Sequence, residues 1–223
     1  MKENVHAAHA DRLIYIVDDD RDIRTSLHSL LTSASFKPRS FGSPRDFIDE
    51  LSHLAPGPIL LDIRMAELDG LQVLQILAQR EIHWPVIILT AHGDVSTAVQ
   101  AIKLGAIEFI EKPFAPEALN KALEQAFTTI EQEAQRWSQR DDARKLFGQL
   151  STRECEVVVL LMEGAGNKQM GERLGISVRT VEVHRSHAMA KIGVKSVAEV
   201  MALAAAAEIA PGTPLNHYRR DRN

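Results

Sequence analysis

Five short strand-like segments in the first half of the chain constrain its fold more than any other feature. Four are apolar runs rich in branched side chains, the second is weaker, and amphipathic stretches of helical period separate them. Apolar runs of this length predict strands buried on both faces, and their alternation with helices predicts a parallel sheet. We therefore expect an α/β domain with a five-stranded parallel sheet and helices on both faces. The predicted strands are residues 13–17, 36–41, 58–62, 85–90 and 107–110.

The carboxyl ends of four of these strands carry side chains suited to phosphoryl chemistry. Asp18 and Asp19 come after the first strand, Asp62 after the third, Thr90 ends the fourth and Lys112 comes after the fifth. Ligands of open parallel sheets bind at this edge, so three carboxylates, a hydroxyl and an amine are expected in one crevice. Such carboxylates need a cation between them, and their oxygens suit Mg²⁺. A carboxylate beside Mg²⁺ can become the nucleophile that forms an acyl phosphate.

The last third of the chain has the pattern of four short helices without strands. Asn167 and Ser177 are predicted to cap the second and third helices, and a Gly-containing turn separates the two. This order is that of a helix-turn-helix, whose second helix enters the DNA major groove. Val178 and Val181 are predicted to face the core. The four helices are expected over residues 151–162, 167–174, 178–192 and 196–208.

Charge and composition are consistent with two different domains and exclude several classes of protein. Residues 148–223 carry ten Lys or Arg and eight Asp or Glu, whereas residues 1–147 carry sixteen and twenty-two. The single cysteine, Cys155, excludes an intrachain disulfide and a zinc finger. No apolar run approaches the roughly 18 residues of a membrane span, and residues 1–12 lack the apolar segment of a secretion signal. We therefore expect a cytoplasmic protein with no membrane partner.

Residues 12–128 resemble the receiver domain of bacterial response regulators, a flavodoxin-like fold. The resemblance rests on the segments IVDDDRDIR, LLDIRMAELDG, VIILTAHGD and FIEKPF, in this order and spacing. It implies that Asp62 is the phosphoacceptor and that Mg²⁺ is the cofactor. One departure is that Ala66 stands where the family usually has Pro after Met65. We expect this change to loosen the loop after Asp62 without touching the chemistry.

The same resemblance assigns roles to individual residues around Asp62. The Mg²⁺ ligands would be the carboxylates of Asp18, Asp19 and Asp62 and the backbone carbonyl of Arg64. Thr90 would be the switch hydroxyl, and Phe109 the aromatic residue that rotates inward when Thr90 moves. Lys112 would pair with the phosphoryl group and precede a cis peptide bond to Pro113.

Residues 148–208 resemble the LuxR/NarL type of DNA-binding domain, and the segment GISVRTVEVHR carries the resemblance most specifically. The implied contacts divide into two groups. Base edges would be contacted by Glu182, Val183 and Ser186. The DNA backbone would be contacted by Asn167, Lys168, Arg179, Thr180, Arg185 and Lys191.

For the segments outside the two domains, the sequence predicts structure but no function. Residues 1–11 are predicted to be a flexible N-terminus and residues 209–223 a flexible tail. Residues 129–147 are predicted to be a helical linker. This linker is either an exposed helix that connects the domains or a continuation of the last receiver helix that pairs with its twin in a dimer.

Together the two domains resemble the FixJ subgroup of the NarL family. The resemblance implies a transcription regulator, an activator by family habit, with a sensor histidine kinase and double-stranded DNA with paired half-sites as partners. It also implies a homodimer when phosphorylated and RNA polymerase as a further partner. No enzymatic activity on external substrates is expected, since a receiver catalyses only its own phosphorylation and dephosphorylation. Two alternatives stay open: a regulator whose receiver no longer needs phosphate, and a Mg²⁺-dependent phosphatase.

Overall fold

The structure is a computed structural model that describes residues 12–91 and 94–218. The chain divides into two compact units, Met1–Gln132 and Glu133–Asn223. The predicted flexible N-terminus, residues 1–11, lies outside the described residues.

The first unit contains the predicted five-stranded sheet. All neighbouring strands pair in parallel, in the order β2-β1-β3-β4-β5. The strands are β1 (Leu13–Val17), β2 (Lys37–Phe41), β3 (Ile59–Leu61), β4 (Val86–Thr90) and β5 (Ala106–Glu111). The prediction of an α/β fold is confirmed, and the sheet brings the ends of β1, β3, β4 and β5 to one edge.

Five helices cover the two faces of this sheet. Successive residues of β1 point to opposite faces, so Tyr15 and Val17 join one apolar cluster while Ile14 and Ile16 join the other. Asp20 and Asp69 cap two of the helices with their carboxylates, which accept backbone N–H groups of the first turn. The helices are α1 (Arg21–Ser33), α2 (Pro44–Glu50), α3 (Gly70–Gln79), α4 (Val95–Lys103) and α5 (Pro116–Phe147).

The second unit contains the four predicted short helices around one apolar core. They are α6 (Thr152–Met162), α7 (Asn167–Leu174), α8 (Val178–Ile192) and α9 (Val197–Ala206). Gly175, at φ 67°, allows the sharp turn after α7. Val181, Ala188 and Ile192 are the buried residues of α8, and they join the core formed by α6. The prediction of a helix-turn-helix arrangement is confirmed.

The segments between and after the domains differ in part from the predictions. Residues 129–147 are helical, as expected, and form the second half of the single helix α5. The prediction of a flexible tail from residue 209 is wrong for the described part of that segment. Ile209 and Leu215 are 4% and 1% exposed and belong to the core of the second unit, and Leu215–Tyr218 forms a short 3₁₀ helix. The Pro and Gly residues of this segment suggest flexibility, but its apolar side chains pack onto a part of the core that the four helices leave uncovered.

Two smaller predictions in the second unit are also corrected. Gly166, not Asn167, is the N-cap of α7, and its N–H donates to Gln169 Oε1 at 3.2 Å. Asn167 is therefore the first residue of the helix, and its side chain is available for other contacts. Val178, predicted to face the core, is exposed because it lies at the first position of α8, before the helix meets α6.

Candidate phosphoacceptor pocket and nucleic-acid interface

A lysine ammonium lies between two buried carboxylates at the carboxyl edge of the sheet. Lys112 Nζ is 2.7 Å from Asp18 Oδ2 and 2.9 Å from Asp62 Oδ1. Asp18 and Asp62 each directly follow an apolar strand, and they are only 3% and 8% exposed. The three side chains come from the ends of β1, β3 and β5, as the sequence predicts. Together they form a charged site with one more carboxylate than it has cations.

The ionisation of the pocket reflects this imbalance. Burial raises the pKa of Asp62, and the neighbouring Asp18 carboxylate adds to the rise, while Lys112 opposes it. Burial lowers the pKa of Lys112, but its hydrogen bonds to Asp18 and Asp62 outweigh this effect and raise it. Lys112 is therefore a firmly protonated cation, and the pocket retains surplus negative charge.

Backbone hydrogen bonds hold the loop after β1 in place. Asp18 N–H donates to Phe41 O at 3.3 Å, and Asp20 N–H donates to Asp18 Oδ1 at 2.9 Å. Arg24 reaches back from α1 and donates to Asp18 O at 2.7 Å. A side chain at Gly42 would approach the Arg24 guanidinium to 3.1 Å, so Gly42 leaves room for this contact. Sequence reasoning missed Arg24, whose only signal is an arginine one turn into α1.

Asp19 and Arg64 lie at the rim of the pocket rather than inside it. Asp62 Oδ2 accepts the backbone N–H of Arg64 at 2.7 Å, and the Arg64 side chain is exposed. Asp19 is exposed, and its Oδ2 accepts the backbone N–H of Ala66 at 2.8 Å. Within residues 12–91 and 94–218, no three His, Cys, Asp or Glu side chains are gathered as a metal ion would require. The structure thus joins Asp18 and Asp62 through Lys112, and Asp19 accepts a hydrogen bond from the loop after β3.

The predicted switch residues lie next to the pocket on β4 and β5. Thr90 is buried at the end of β4, and Phe109 is half-buried against the core under α3 and α4. The bond between Lys112 and Pro113 is cis, as predicted. The surface formed by α4 and β5, the α4–β5 surface, exposes four large apolar side chains, namely Val95 (82%), Val99, Ile102 and Ile107.

The exposed side of α8 carries most of the residues predicted to contact DNA. Arg179, Glu182, Val183 and Ser186 are exposed, and Val183 is a large apolar side chain without cover on this face. Thr180 is half-buried, and its hydroxyl is 2.7 Å from that of Ser177, the N-cap. An exposed row of polar side chains with one branched apolar residue is suited to base edges and thymine methyl groups.

Three predicted DNA contacts form a polar network that links α7 to α8. Asn167 Nδ2 donates to Glu182 Oε1 at 3.4 Å, and Arg185 donates to Asn167 Oδ1 at 3.2 Å. The Asn167 side chain can form these hydrogen bonds because Gly166, and not Asn167, is the N-cap of α7. Lys168 is exposed beside it. These contacts orient Glu182 and Arg185 before any ligand is bound.

Lys191 occupies a different position from the other predicted DNA contacts. Its Nζ lies 2.6 Å from Glu154 Oε2, and Glu154 is 4% exposed. The same carboxylate oxygen accepts the N–H of Ser151 at 2.7 Å, completing a capping box at the start of α6. Burial raises the pKa of Glu154, but Lys191 and Ser151 outweigh it and hold that pKa below its ordinary value. Lys191 thus fastens the last turn of α8 to α6, a role that sequence reasoning missed.

None of the helices in the described part of the chain combines the length and apolar character needed to cross a membrane.

Comparisons with known proteins match a family to each of the two units. Residues 14–124 match the response regulator receiver domain, and residues 148–204 match the bacterial regulatory proteins of the luxR family. The transcriptional regulatory protein FixJ of Bradyrhizobium diazoefficiens is 38% identical over 191 residues, 86% of this chain and 93% of that protein. The C4-dicarboxylate transport transcriptional regulatory protein DctR of Rhodobacter capsulatus is 39% identical over 84% of this chain and 96% of that protein.

Two solved structures are similar to most of the chain, across both units. The response regulator StyR superposes with a TM-score of 0.73 at 36% identity, covering 87% of this chain and 98% of that one. Full-length FixJ from B. japonicum superposes with a TM-score of 0.56 at 38% identity, covering 88% of this chain and 97% of that one. The chain therefore belongs to the two-component response regulators that join a receiver domain to a LuxR-type DNA-binding domain, the transcriptional regulators of the FixJ type.

Proposed function

We propose that this regulator is switched on by transfer of a phosphoryl group from a sensor histidine kinase to Asp62. The observation that carries the proposal is the Lys112 ammonium held between Asp18 and Asp62 at the carboxyl edge of the sheet. Asp62 is the member of this group that follows β3, the central strand of the sheet. A buried carboxylate beside a fixed cation is suited to receive a phosphoryl group.

The chemistry proceeds by displacement at phosphorus. An Asp62 oxygen forms a bond to phosphorus while the bond between phosphorus and the kinase imidazole nitrogen breaks, and that nitrogen keeps the electron pair. Lys112 then pairs with a phosphoryl oxygen in place of the carboxylate oxygen it holds in the resting state. The Arg64 N–H, already directed at Asp62 Oδ2, keeps the carboxylate oriented during the reaction.

The donor set of the pocket fits Mg²⁺. The carboxylates of Asp18 and Asp62 share the single Lys112 ammonium, and Asp19 adds a third carboxylate at the rim, so a divalent cation would offset the surplus negative charge. These side chains and the backbone carbonyl of Arg64 would hold the ion. When bound, Mg²⁺ neutralises the charge that builds up on the phosphoryl oxygens.

We propose that Thr90 and Phe109 transmit the conformational change that follows phosphorylation. The Thr90 hydroxyl moves onto the phosphoryl group, and Phe109 fills the space behind it. This rearranges the α4–β5 surface, where Val95, Val99 and Ile102 lie three or four residues apart on one side of α4. We propose that a second copy of the receiver covers this surface, since such a stripe is suited to a two-fold contact.

DNA binding is assigned to α8 and the start of α7. Glu182, Val183 and Ser186 contact base edges. The phosphate backbone is contacted by Asn167, Lys168, Arg179, Thr180 and Arg185, with Lys191 as a contact that also keeps its ion pair to Glu154. Dimerisation places two such domains on paired half-sites, so the second binding event becomes intramolecular and the affinity rises.

The proposal also covers the protein's location, its partner in transcription and the bounds of its domains. We propose a cytoplasmic activator that acts with RNA polymerase and has no reaction of its own beyond phosphorylation and dephosphorylation of Asp62. Its receiver is residues 12–128, its helical linker residues 129–147 and its DNA-binding domain residues 148–208, extended by the packed tail to residue 218.

Phosphorylation with acetyl phosphate and Mg²⁺, followed by peptide mass spectrometry, tests the assignment of Asp62. The proposal predicts a single phosphoryl group on Asp62 and none in Asp62→Asn; a group on another residue would contradict it.

The α4–β5 surface is tested separately with Val99→Lys, which places a charge in the apolar stripe. This variant is expected to be phosphorylated normally but to remain monomeric. Ser29→Lys, an equal change on the exposed side of α1, serves as the matched control and should dimerise like the wild type. Dimerisation of Val99→Lys at wild-type concentrations would show that another surface is used.

A further inference from the structure

An acidic side chain stands on the exposed side of α8, the second helix of the helix-turn-helix. Glu182 is the fifth residue of α8, and it is exposed whereas Val181 before it is buried. The N-terminal residues of such a helix contact base edges in the major groove. A carboxylate there is repelled by the DNA phosphates, so it is suited to selecting a base and not to raising the affinity for every sequence.

A neighbouring amide holds this carboxylate in place. Asn167 Nδ2 donates to Glu182 Oε1 at 3.4 Å, and Arg185 donates to Asn167 Oδ1 at 3.2 Å. The guanidinium of Arg185 has only donors and the carboxylate of Glu182 has only acceptors, so the Asn167 amide fits between them in one orientation. Asn167 and Arg185 are both half-buried. The position of Glu182 Oε1 is therefore set by the contact between α7 and α8.

The hydrogen bond from Asn167 leaves both partners with capacity for DNA. It reaches Glu182 through Oε1, and a carboxylate has a second oxygen, Oε2, that can accept from a base. The Asn167 amide has two N–H groups, and one of them can donate to a phosphate while the other holds Glu182. A positioning role for Asn167 is therefore compatible with a contact to the DNA backbone.

The acceptor character of a carboxylate distinguishes between the four bases. In the major groove, cytosine presents an amino donor, whereas guanine and thymine present acceptors, which repel a carboxylate. Adenine presents an amino donor beside the acceptor N7, a pair that suits an amide side chain better than a carboxylate. The base that fits Glu182 best is therefore cytosine.

We propose that Glu182 is a specificity-determining residue that selects cytosine at one position of each DNA half-site, and that Asn167 is the positioning residue that orients it. The inference rests on the proposed function, which assigns DNA binding to α8, and it names the base that this helix recognises. A duplex with cytosine at this position should bind about tenfold more tightly than the same duplex with adenine there.

Selection of binding sites from a pool of randomised DNA duplexes tests the choice of base. The full-length protein is used both untreated and after treatment with acetyl phosphate and Mg²⁺, so the base preference is read from whichever form binds. Glu182→Gln keeps the shape of the side chain and an oxygen for Asn167, but its amide suits adenine. We expect one position of each half-site to change from cytosine in the wild type to adenine in this variant. The same selected sequence in both proteins, or a wild-type base other than cytosine at the position that changes, would overturn the proposal.

The positioning role of Asn167 is measured as a ratio of two affinities. Fluorescence anisotropy gives the dissociation constants for the selected duplex and for the duplex with adenine in place of that cytosine. Asn167→Ala should lower the ratio from about tenfold to about threefold, because Glu182 loses its fixed orientation. Lys168→Ala, a change at an exposed neighbour, is the matched control and should weaken binding to both duplexes equally. A wild-type ratio in Asn167→Ala, or an equal loss in Lys168→Ala, would contradict this role.

Failure of this inference is distinguishable from failure of the proposed function. If neither form of the wild type selects a sequence, the assignment of DNA binding to α8 fails and this inference fails with it. If the wild type selects a site that Glu182→Gln selects equally, only this inference fails.

Discussion

Removal of one buried side chain from the C-terminal segment tests whether that segment is part of the DNA-binding domain. Leu215 is 1% exposed and packs in the same apolar cluster as Val181 of the recognition helix α8. Truncation of a buried leucine to alanine costs about 2–5 kcal/mol. Leu215 also lines a surface groove with Pro214 and Leu174, into which neighbouring groups can relax. We therefore expect Leu215→Ala to destabilise the domain by about 2 kcal/mol, the lower end of that range.

Hydrogen exchange measured by mass spectrometry can report this loss for the DNA-binding domain separately from the receiver. A loss of about 2 kcal/mol corresponds to exchange roughly 30-fold faster in amides that open together with the domain, such as those of α6 and α8. Pro214→Ala is the matched control, because Pro214 is exposed and directly precedes Leu215. Wild-type exchange rates in Leu215→Ala would show that the C-terminal segment contributes nothing to the core.

Three further predictions concern the pocket and the DNA-binding domain. Lys112→Ala should slow phosphorylation by acetyl phosphate about a hundredfold, because Asp62 loses the ammonium that is fixed beside it. A rate within threefold of wild type would contradict this. The stability that Glu154 contributes is complete above its unfolded pKa and is lost as the pH falls through its lowered folded pKa. In acid, the free energy of unfolding of Glu154→Gln should therefore depend less on pH than that of the wild type. Equal slopes of this free energy against pH in the two proteins would show that the ion pair does not contribute to stability. Val183→Ala should weaken binding to the cognate DNA site about fivefold in fluorescence anisotropy and leave non-specific binding unchanged.

The receiver was predictable from sequence because its signals are local and mutually consistent. Gly70–Gln79 is helical over the predicted residues because Asp69 caps it with a carboxylate and Gln72 completes the capping box. The polar residues at the strand ends were predictable as a group because parallel strands bring their carboxyl ends to one edge. Asp18, Asp62 and Lys112 accordingly meet in the structure.

The features that sequence reasoning missed depend on contacts between distant segments. A Pro- and Gly-containing tail looks flexible by composition, and only the uncovered core of the four helices shows why Leu215 is buried. Lys191 looks like a DNA contact from its place on α8, but a buried acceptor 37 residues earlier, Glu154, determines its position. The Ala66 N–H is a backbone group, so its contact with Asp19 has no side-chain signal at all.

We propose that a phosphoryl group on Asp62 drives dimerisation of this regulator. Light scattering of the full-length protein, with and without acetyl phosphate and Mg²⁺, measures it directly in the wild type and in Asp62→Asn. We expect that only the wild type changes from monomer to dimer, and only when both the phosphate donor and Mg²⁺ are present. A wild type that stays monomeric although Asp62 is phosphorylated, or an Asp62→Asn variant that dimerises equally, would contradict it.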